Sequence, residues 1–200
     1  MSMSVKEAME TRRSIRKYAQ EPIPREDIEE MLRLASLAPS AWNIQPWRFI
    51  VVMDPEKKRE LHLAANRHPQ VKSAPVVIIL TSDMEDAIAH IEECIHPDMP
   101  EEGKQWLKET IPKVFGAQSA EQRGQWGVAQ SNIVLGYLLI AIRSLGYDSS
   151  PMYGYNPERI RQLFDLPSHV QIPAIIAIGK RAEEGHSHHR HPLHRIVRYV

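Results

Sequence analysis

The sequence predicts an α+β fold, a sheet flanked by helices, and three observations predict it. "WRFIVVM", "APVVIILTSD" and "IPAIIAIG" are short runs of β-branched and apolar residues, the composition of buried strands. Between them lie segments with apolar residues at helical spacing. The order of the two kinds is not a strict βαβ alternation, which argues against a doubly wound parallel sheet.

Taken in order, "SVKEAMETR" reads as a short helix and "IPREDIEEMLRLASLAPS" as a stronger one. Pro24 suits a first turn, Glu26 and Asp27 favour the positive end of the helix dipole, and Pro39 ends the stripe of Ile28, Met31, Leu32, Ala35 and Ala38. "WRFIVVM" is the first strand. Asp54 and Pro55 cap and open a helix reaching about Ala65. "APVVIILTSD", almost wholly apolar, is expected to be central in the sheet. The most polar stretch, residues 96–127, reads as a helical excursion from the core. "VAQSNIVLGYLLIAIRSLG" is apolar on nearly every face and is expected to be a central buried helix, ended by Gly146. The stretch from Tyr147 to Arg159, rich in Ser, Pro and Gly, reads as a loop. Pro157 reads as the start of a short helix, and the last residues of the basic, His-rich tail as strand-like.

The 200 residues suit one domain spanning 1–200, with a core of useful size. Lysine plus arginine number 25 and aspartate plus glutamate 25, and this neutrality argues against nucleic-acid binding, which needs a concentrated basic field. The single cysteine, Cys94, forms no intrachain disulfide and fits a reducing, cytoplasmic setting. The N-terminal stretch lacks a signal-like apolar core, and the longest uncharged apolar run, "IVLGYLLIAI", is too short to span a bilayer.

Two stretches carry chemistry. "RRSIRKY" (residues 12–18) gathers Arg12, Arg13 and Arg16 around Ser14, a set of fork-shaped donors and a hydroxyl that matches phosphate oxygens. If it is helical, Arg12 and Arg16 share a face. The bland alternative is a solvated helix end. "PSAWNIQPW" (residues 39–47) combines two tryptophans with the amides of Asn43 and Gln45, which can read the edge of a planar heterocycle. Trp47 is expected in the core and Trp42 exposed or at an interface; the bland alternative is a rigid turn between Pro39 and Pro46. A third stretch, "SSPMYGY", has a glycine that allows close backbone approach to a ligand. Neither GxGxxG nor a P-loop motif occurs. Cys94 with His90 and His96 lacks a fourth ligand, so no metal site is expected.

These motifs, together with "APVVIIL", "SPMYGYNPERI", "IPAIIAIGK" and a basic residue before "HPL", occur in the order seen in the nitroreductase family, which the chain resembles over nearly its whole length. The resemblance implies FMN-dependent oxidoreductases built as intertwined homodimers with two flavin sites at the interface. It implies FMN phosphate and ribityl contacts from Arg12, Arg13, Ser14 and Arg16. It assigns Pro39, Ser40, Ala41 and Asn43 to a loop lining the partner's flavin, Gln70 to the flavin ring, backbone near Tyr153 and Gly154 to flavin N5, and Arg190 to the phosphate. Tyr153 stands where relatives often have Gly or Glu, and the tail carries histidines where they often have Lys or Arg. The expected activity is ping-pong hydride transfer from NADH or NADPH through FMN to small aromatic acceptors, nitroaromatics or quinones, with no catalytic acid–base pair because the flavin carries the chemistry. Trp106, Phe115 and Trp126 are candidates to roof the acceptor pocket, with ordinary packing expected for at least two of them. Two alternatives are a specialised flavoenzyme that dehalogenates an aromatic or fragments a flavin, and a flavin- or metal-binding protein without turnover.

Overall fold

The computed structural model describes residues 3–200. Strands β1 (Trp47–Val52), β2 (Val76–Ser82), β3 (Asp148–Met152) and β4 (Gln171–Gly179) form one antiparallel sheet in the order β1-β2-β4-β3. The central strands are β2, buried at every residue, and β4, buried at all but its first.

Strand alternation divides the apolar side chains between two helical layers. Val76, Ile78, Leu80 and Ile176 pack against α2 (Arg25–Ser36) and α7 (Ala120–Ser144) through Met31, Ala35, Val134, Leu138 and Ile142. Val77, Ile79, Ile175 and Ala177 face the other way, onto α3 (Pro55–Ala64), α4 (Pro69–Ser73) and α8 (Pro157–Leu163) through Leu61, Val71 and Ile160. Helix starts follow their capping residues. Asp54 accepts from the Lys57 N–H, Asn156 from the Arg159 N–H, and Ser119 and Gln122 form a reciprocal capping box. The remaining helices are α1 (Val5–Thr11), α5 (Met84–Ala89), α6 (Glu101–Gly116) and α9 (Leu193–Ile196).

Four expectations are corrected. Residues 148–152 are an edge strand, not a loop: the buried Asp148 carboxylate is held by Arg181 (2.6 and 2.8 Å) and Arg143 (3.2 Å), and Pro151 is tolerated at a sheet edge. Pro24 precedes α2 as its cap rather than lying in the first turn. The long helix begins at Ala120 and is not buried all round. One side meets the sheet, while Ile133 and Tyr137 on the other are exposed. By length and composition α7 could cross a membrane; here its apolar face is core. The tail holds the short helix α9, and its last residues form no strand.

The polar excursion carries a small core of its own. Leu107, Ile111 and Phe115 of α6 pack with Ile44, Met84, Ile91 and Cys94. This cluster lies under the 39–47 loop and fixes where that loop sits.

Candidate active site

The arginine motif is extended, not helical. Arg12 caps α1, and the chain then runs beside the sheet: the Ile15 N–H donates to the Ser149 carbonyl (3.2 Å), and Ser14 bridges Ser149. Ile15 is fully buried and Tyr18 nearly so, its hydroxyl reaching the carbonyls of Ile15 (2.6 Å) and Ala177 (3.0 Å). Burial, then the charge of Asp148, raises the Tyr18 pKa far above the phenol range, so this anchor stays neutral. With alternating residues on opposite sides, Ser14 and Arg16 share one face. The segment is not the helix on which Arg12 and Arg16 would share a face; Arg16 lines a cavity with Ser14, while Arg12 lines a separate apolar groove.

The face shared by Ser14 and Arg16 opens on a cavity of about 440 Å³ lined by Ser14, Arg16, His68, Gln70, Ser150 and Tyr153, among others. Several of its polar groups have no partner in the chain. Gln70 is 6% exposed, yet its side-chain amide has no hydrogen-bond partner among the described residues. The Arg16 guanidinium makes no ion pair among them and only a 3.4 Å contact to the Ser14 carbonyl. Donors and acceptors left without a protein partner around one cavity are available to a ligand. Tyr153 lies at the rim with its side chain 62% exposed, and Gly154 bends with φ +82°, a conformation that favours glycine.

The other arginines lie near one another but do not line this cavity: Arg12 borders the apolar groove and Arg13 a separate polar pocket. Arg12 makes no ion pair among the described residues. Burial, then the charges of Arg190 and Arg13, lowers its pKa. Arg13 Nη1 lies 3.1 Å from His188 Nε2, and the same ring reaches the Arg12 carbonyl at 2.7 Å. The tail therefore returns to the motif through His188, which the sequence reading missed; Arg190 acts on Arg12 only by charge, and its guanidinium donates to the His189 carbonyl (2.7 Å). Only the position of His188 among histidines flanking Arg190 signalled its contact.

The 39–47 loop lies elsewhere. Pro39, Ser40, Ala41 and Asn43 do not line the Ser14–Gln70 cavity. Instead Trp42 and Asn43 border a separate apolar cleft of about 590 Å³ with Cys94, Met99, Trp106 and Leu107. The loop's groups are largely engaged. The Ala41 N–H donates to Gln130 Oε1 (2.9 Å), the Gln45 N–H to Ser40 Oγ (3.1 Å), Asn43 Nδ2 to the Cys94 carbonyl (3.0 Å) and Gln45 Nε2 to Asn43 Oδ1 (3.0 Å). Trp42, expected to be exposed or at an interface, is partly buried within its own chain. It stacks on Trp126 (6.4 Å) and meets Phe115 edge-on (5.8 Å). Of the three candidate roof residues, Phe115 is buried and Trp126 partly so, while Trp106 is exposed beside the cleft. Trp42, Asn43 and Gln45 have φ of 53°, 57° and 44°. Left-handed backbone at non-glycine residues costs of order 1–3 kcal/mol each and marks a loop held for use.

Cys94 points its thiol at the Ile44 carbonyl (3.6 Å), and burial, then the Glu93 charge, raises its pKa. His90 is engaged with Asp86, and His96 accepts from the Asp98 N–H, so the three sequence-proximal groups are engaged separately.

Comparison with known proteins decides the family. A model described as the nitroreductase family matches residues 9–180. The chain belongs to the nitroreductase family. Among its relatives, a Thermus thermophilus protein named "NADH dehydrogenase" is 47% identical over 98% of this chain and 95% of its own. YdgI of Bacillus subtilis, whose name assigns it as an NAD(P)H nitroreductase, is 34% identical over 96% of each chain. The nitroreductase fold is shared with an Exiguobacterium sibiricum protein solved in complex with FMN and assigned as a nitroreductase: TM-score 0.88, 27% identity, covering 100% of this chain and 99% of that one. A nitroreductase family protein from Streptococcus pneumoniae gives TM-score 0.89 at 25% identity, covering 98% and 100%.

Proposed function

We propose that the chain is an FMN-dependent oxidoreductase that takes hydride from NADH or NADPH and passes it, in ping-pong order, to nitroaromatic or quinone acceptors. The observation that carries this reading is the Ser14–Arg16–Gln70 cavity, where a buried amide and a guanidinium without an ion pair converge. The donor set fits FMN. Arg12, Arg13, Arg16 and Arg190, with Ser14, supply charge-assisted donors for the phosphate, and Gln70 offers both a donor and an acceptor to the ring edge. When bound, FMN supplies the hydride chemistry that no side chain in the cavity provides. The protein's own part is to hold the ring, exclude water and set donors beside it.

The reading includes a homodimer with shared sites. The exposed apolar groove of about 910 Å³ lined by Val5, Met9, Leu34, Leu37, Ile133 and Tyr137 is suited to a second copy. A second copy would bring its 39–47 loop, and the Trp42–Trp106 cleft, to the flavin cavity of the first. Both lie on the surface, and within one chain the two halves line different cavities. Small planar aromatic acceptors fit that cleft. A cytoplasmic setting agrees with a lone buried thiol.

The test is direct. Purified protein should be yellow, release FMN on denaturation, and oxidise NADH or NADPH with a nitrofuran and a quinone, giving parallel double-reciprocal lines. A colourless protein that cannot be reconstituted with FMN contradicts the reading. Yellow protein giving intersecting lines would retain the flavin and reject the ping-pong order.

A further inference from the structure

The turn between α3 and α4 has a feature that flavin contacts do not explain. Asn66 and Arg67 are consecutive non-glycine residues with φ of 50° and 58°. The turn is closed from both sides: the Arg67 N–H donates to the His62 carbonyl (2.8 Å) and the His68 N–H to the Ala65 carbonyl (3.1 Å). What the strained backbone achieves is the placement of two side chains against one neighbouring loop. Asn66 Nδ2 donates to the Gly154 carbonyl, and His68 Nε2 lies 3.2 Å from the Tyr153 carbonyl. The adjoining Asn156 N–H donates to the Ala64 carbonyl (2.9 Å), so the loop is tied to the end of α3 as well.

A carbonyl accepts, so His68 Nε2 carries the proton in this contact. The peptide joining Tyr153 to Gly154 is trans, and its C=O and N–H point in opposite directions. With the carbonyl drawn toward His68, the Gly154 N–H is directed away from it, and it has no acceptor among the described residues. Both carbonyls next to the bend are thus held, while the donor between them is left available.

We propose that Asn66 and His68 form a clamp that orients the Gly154 N–H as a hydrogen-bond donor to the flavin ring at N5. They act as positioning residues rather than catalytic ones. This rests on the FMN reading above. The Gly154 φ of +82° is part of the device, since the bend is what lets two successive carbonyls be gripped from one turn. A Cβ at residue 154 would meet His68 Nε2 at 3.4 Å, an ordinary contact, so the backbone conformation rather than space calls for glycine.

The test uses holoprotein reconstituted with FMN labelled with ¹⁵N at N5, and reads the N5 resonance of the oxidised flavin by NMR. His68→Ala and Asn66→Ala should each move that resonance toward the value of a flavin lacking a donor at N5. They should slow flavin reduction by NADH or NADPH about tenfold, the effect of one well-placed hydrogen bond. His68→Gln, which keeps a side-chain N–H, should restore both toward the wild-type values. Asn66→Ala covers the case in which His68→Ala fails to fold. An N5 resonance unchanged in FMN-loaded Asn66→Ala, and in His68→Ala where it folds, overturns the clamp while leaving the flavin reading intact. Wild-type protein that takes up no FMN overturns both.

Discussion

The segment 12–16 and the loop 39–47 are both candidate ligand-binding stretches, yet they are built in opposite ways. The first is a relaxed extended segment whose buried member, Ile15, anchors it while Ser14 and Arg16 face a cavity without strong partners. The second is a strained loop whose amides are already bonded to its own chain and whose Trp42 is stacked on Trp126. Available polar groups mark where a ligand supplies the missing partner. Engaged groups on a strained backbone mark a surface whose shape is fixed in advance. The proposed site needs both, one to hold the phosphate and ring, the other to close over them.

The largest effect should fall on the shape-fixing half. Phe115 is 1% exposed and contacts both Trp42 and Trp126. Phe115→Ala should destabilise the protein by about 3–5 kcal/mol, the usual range for an aromatic removed from a core. Urea unfolding would measure it, and a change under about 1 kcal/mol would mean that the loop is held by its hydrogen bonds rather than its aromatics.

On the other half, Arg16→Ala should leave the fold unchanged and weaken FMN binding by about ten- to a hundredfold, the value of one charge-assisted bond of about 1.5–3 kcal/mol. Titration of apoprotein with FMN reads this. Unchanged affinity in Arg12→Ala, Arg13→Ala and Arg16→Ala alike would remove the phosphate assignment.

Gln70 sharpens the contrast, because its amide faces the cavity without a hydrogen-bond partner among the described residues. Gln70→Met should leave apoprotein stability within about 1 kcal/mol, since the amide faces an open cavity where water can serve it, while FMN affinity falls about fivefold. A larger loss of stability would show instead that the amide is bonded within the free protein.

The smallest effect is expected at Cys94. Its thiol is buried beside the cleft and its pKa is raised, so the native thiol becomes reactive at higher pH than in the unfolded chain. Cys94→Ser should retain turnover within about twofold, because flavin supplies the redox chemistry. Loss of turnover with FMN still bound would mean that the thiol takes part.

The sequence made some of this legible and hid the rest for physical reasons. β2 and β4 were readable because both of their faces are buried and apolar. β3 was not, since residues 148–152 make an edge strand whose burial is polar. Asp148 is satisfied by Arg143 and by Arg181, which reaches it from beyond the end of β4, and no local pattern records that. The outer side of α7 also carries apolar residues, Ile133, Tyr137, Leu139 and Ile140, so periodicity could not separate core from exposed groove. The arginine cluster was visible by composition, but its geometry depended on whether the segment was helical. It is extended, and Ser14 and Arg16 line one cavity while Arg12 lines another. His68 and Asn66 gave no signal, since their partners are backbone atoms of residues 153 and 154, far along the chain.

The claim that two unlike halves from two chains make one site has a direct measurement. Arg16→Ala lies in one half and Asn43→Ala in the other, and each homodimer should be impaired. After the two variants are unfolded and refolded together, random pairing makes about half of the dimers mixed, and each mixed dimer has one site with both lesions and one with neither. About a quarter of all sites would then be wild type, and activity should rise well above the mean of the two parent homodimers. Activity no higher than that mean, with mixed dimers confirmed by mass, would show that each chain builds its site alone.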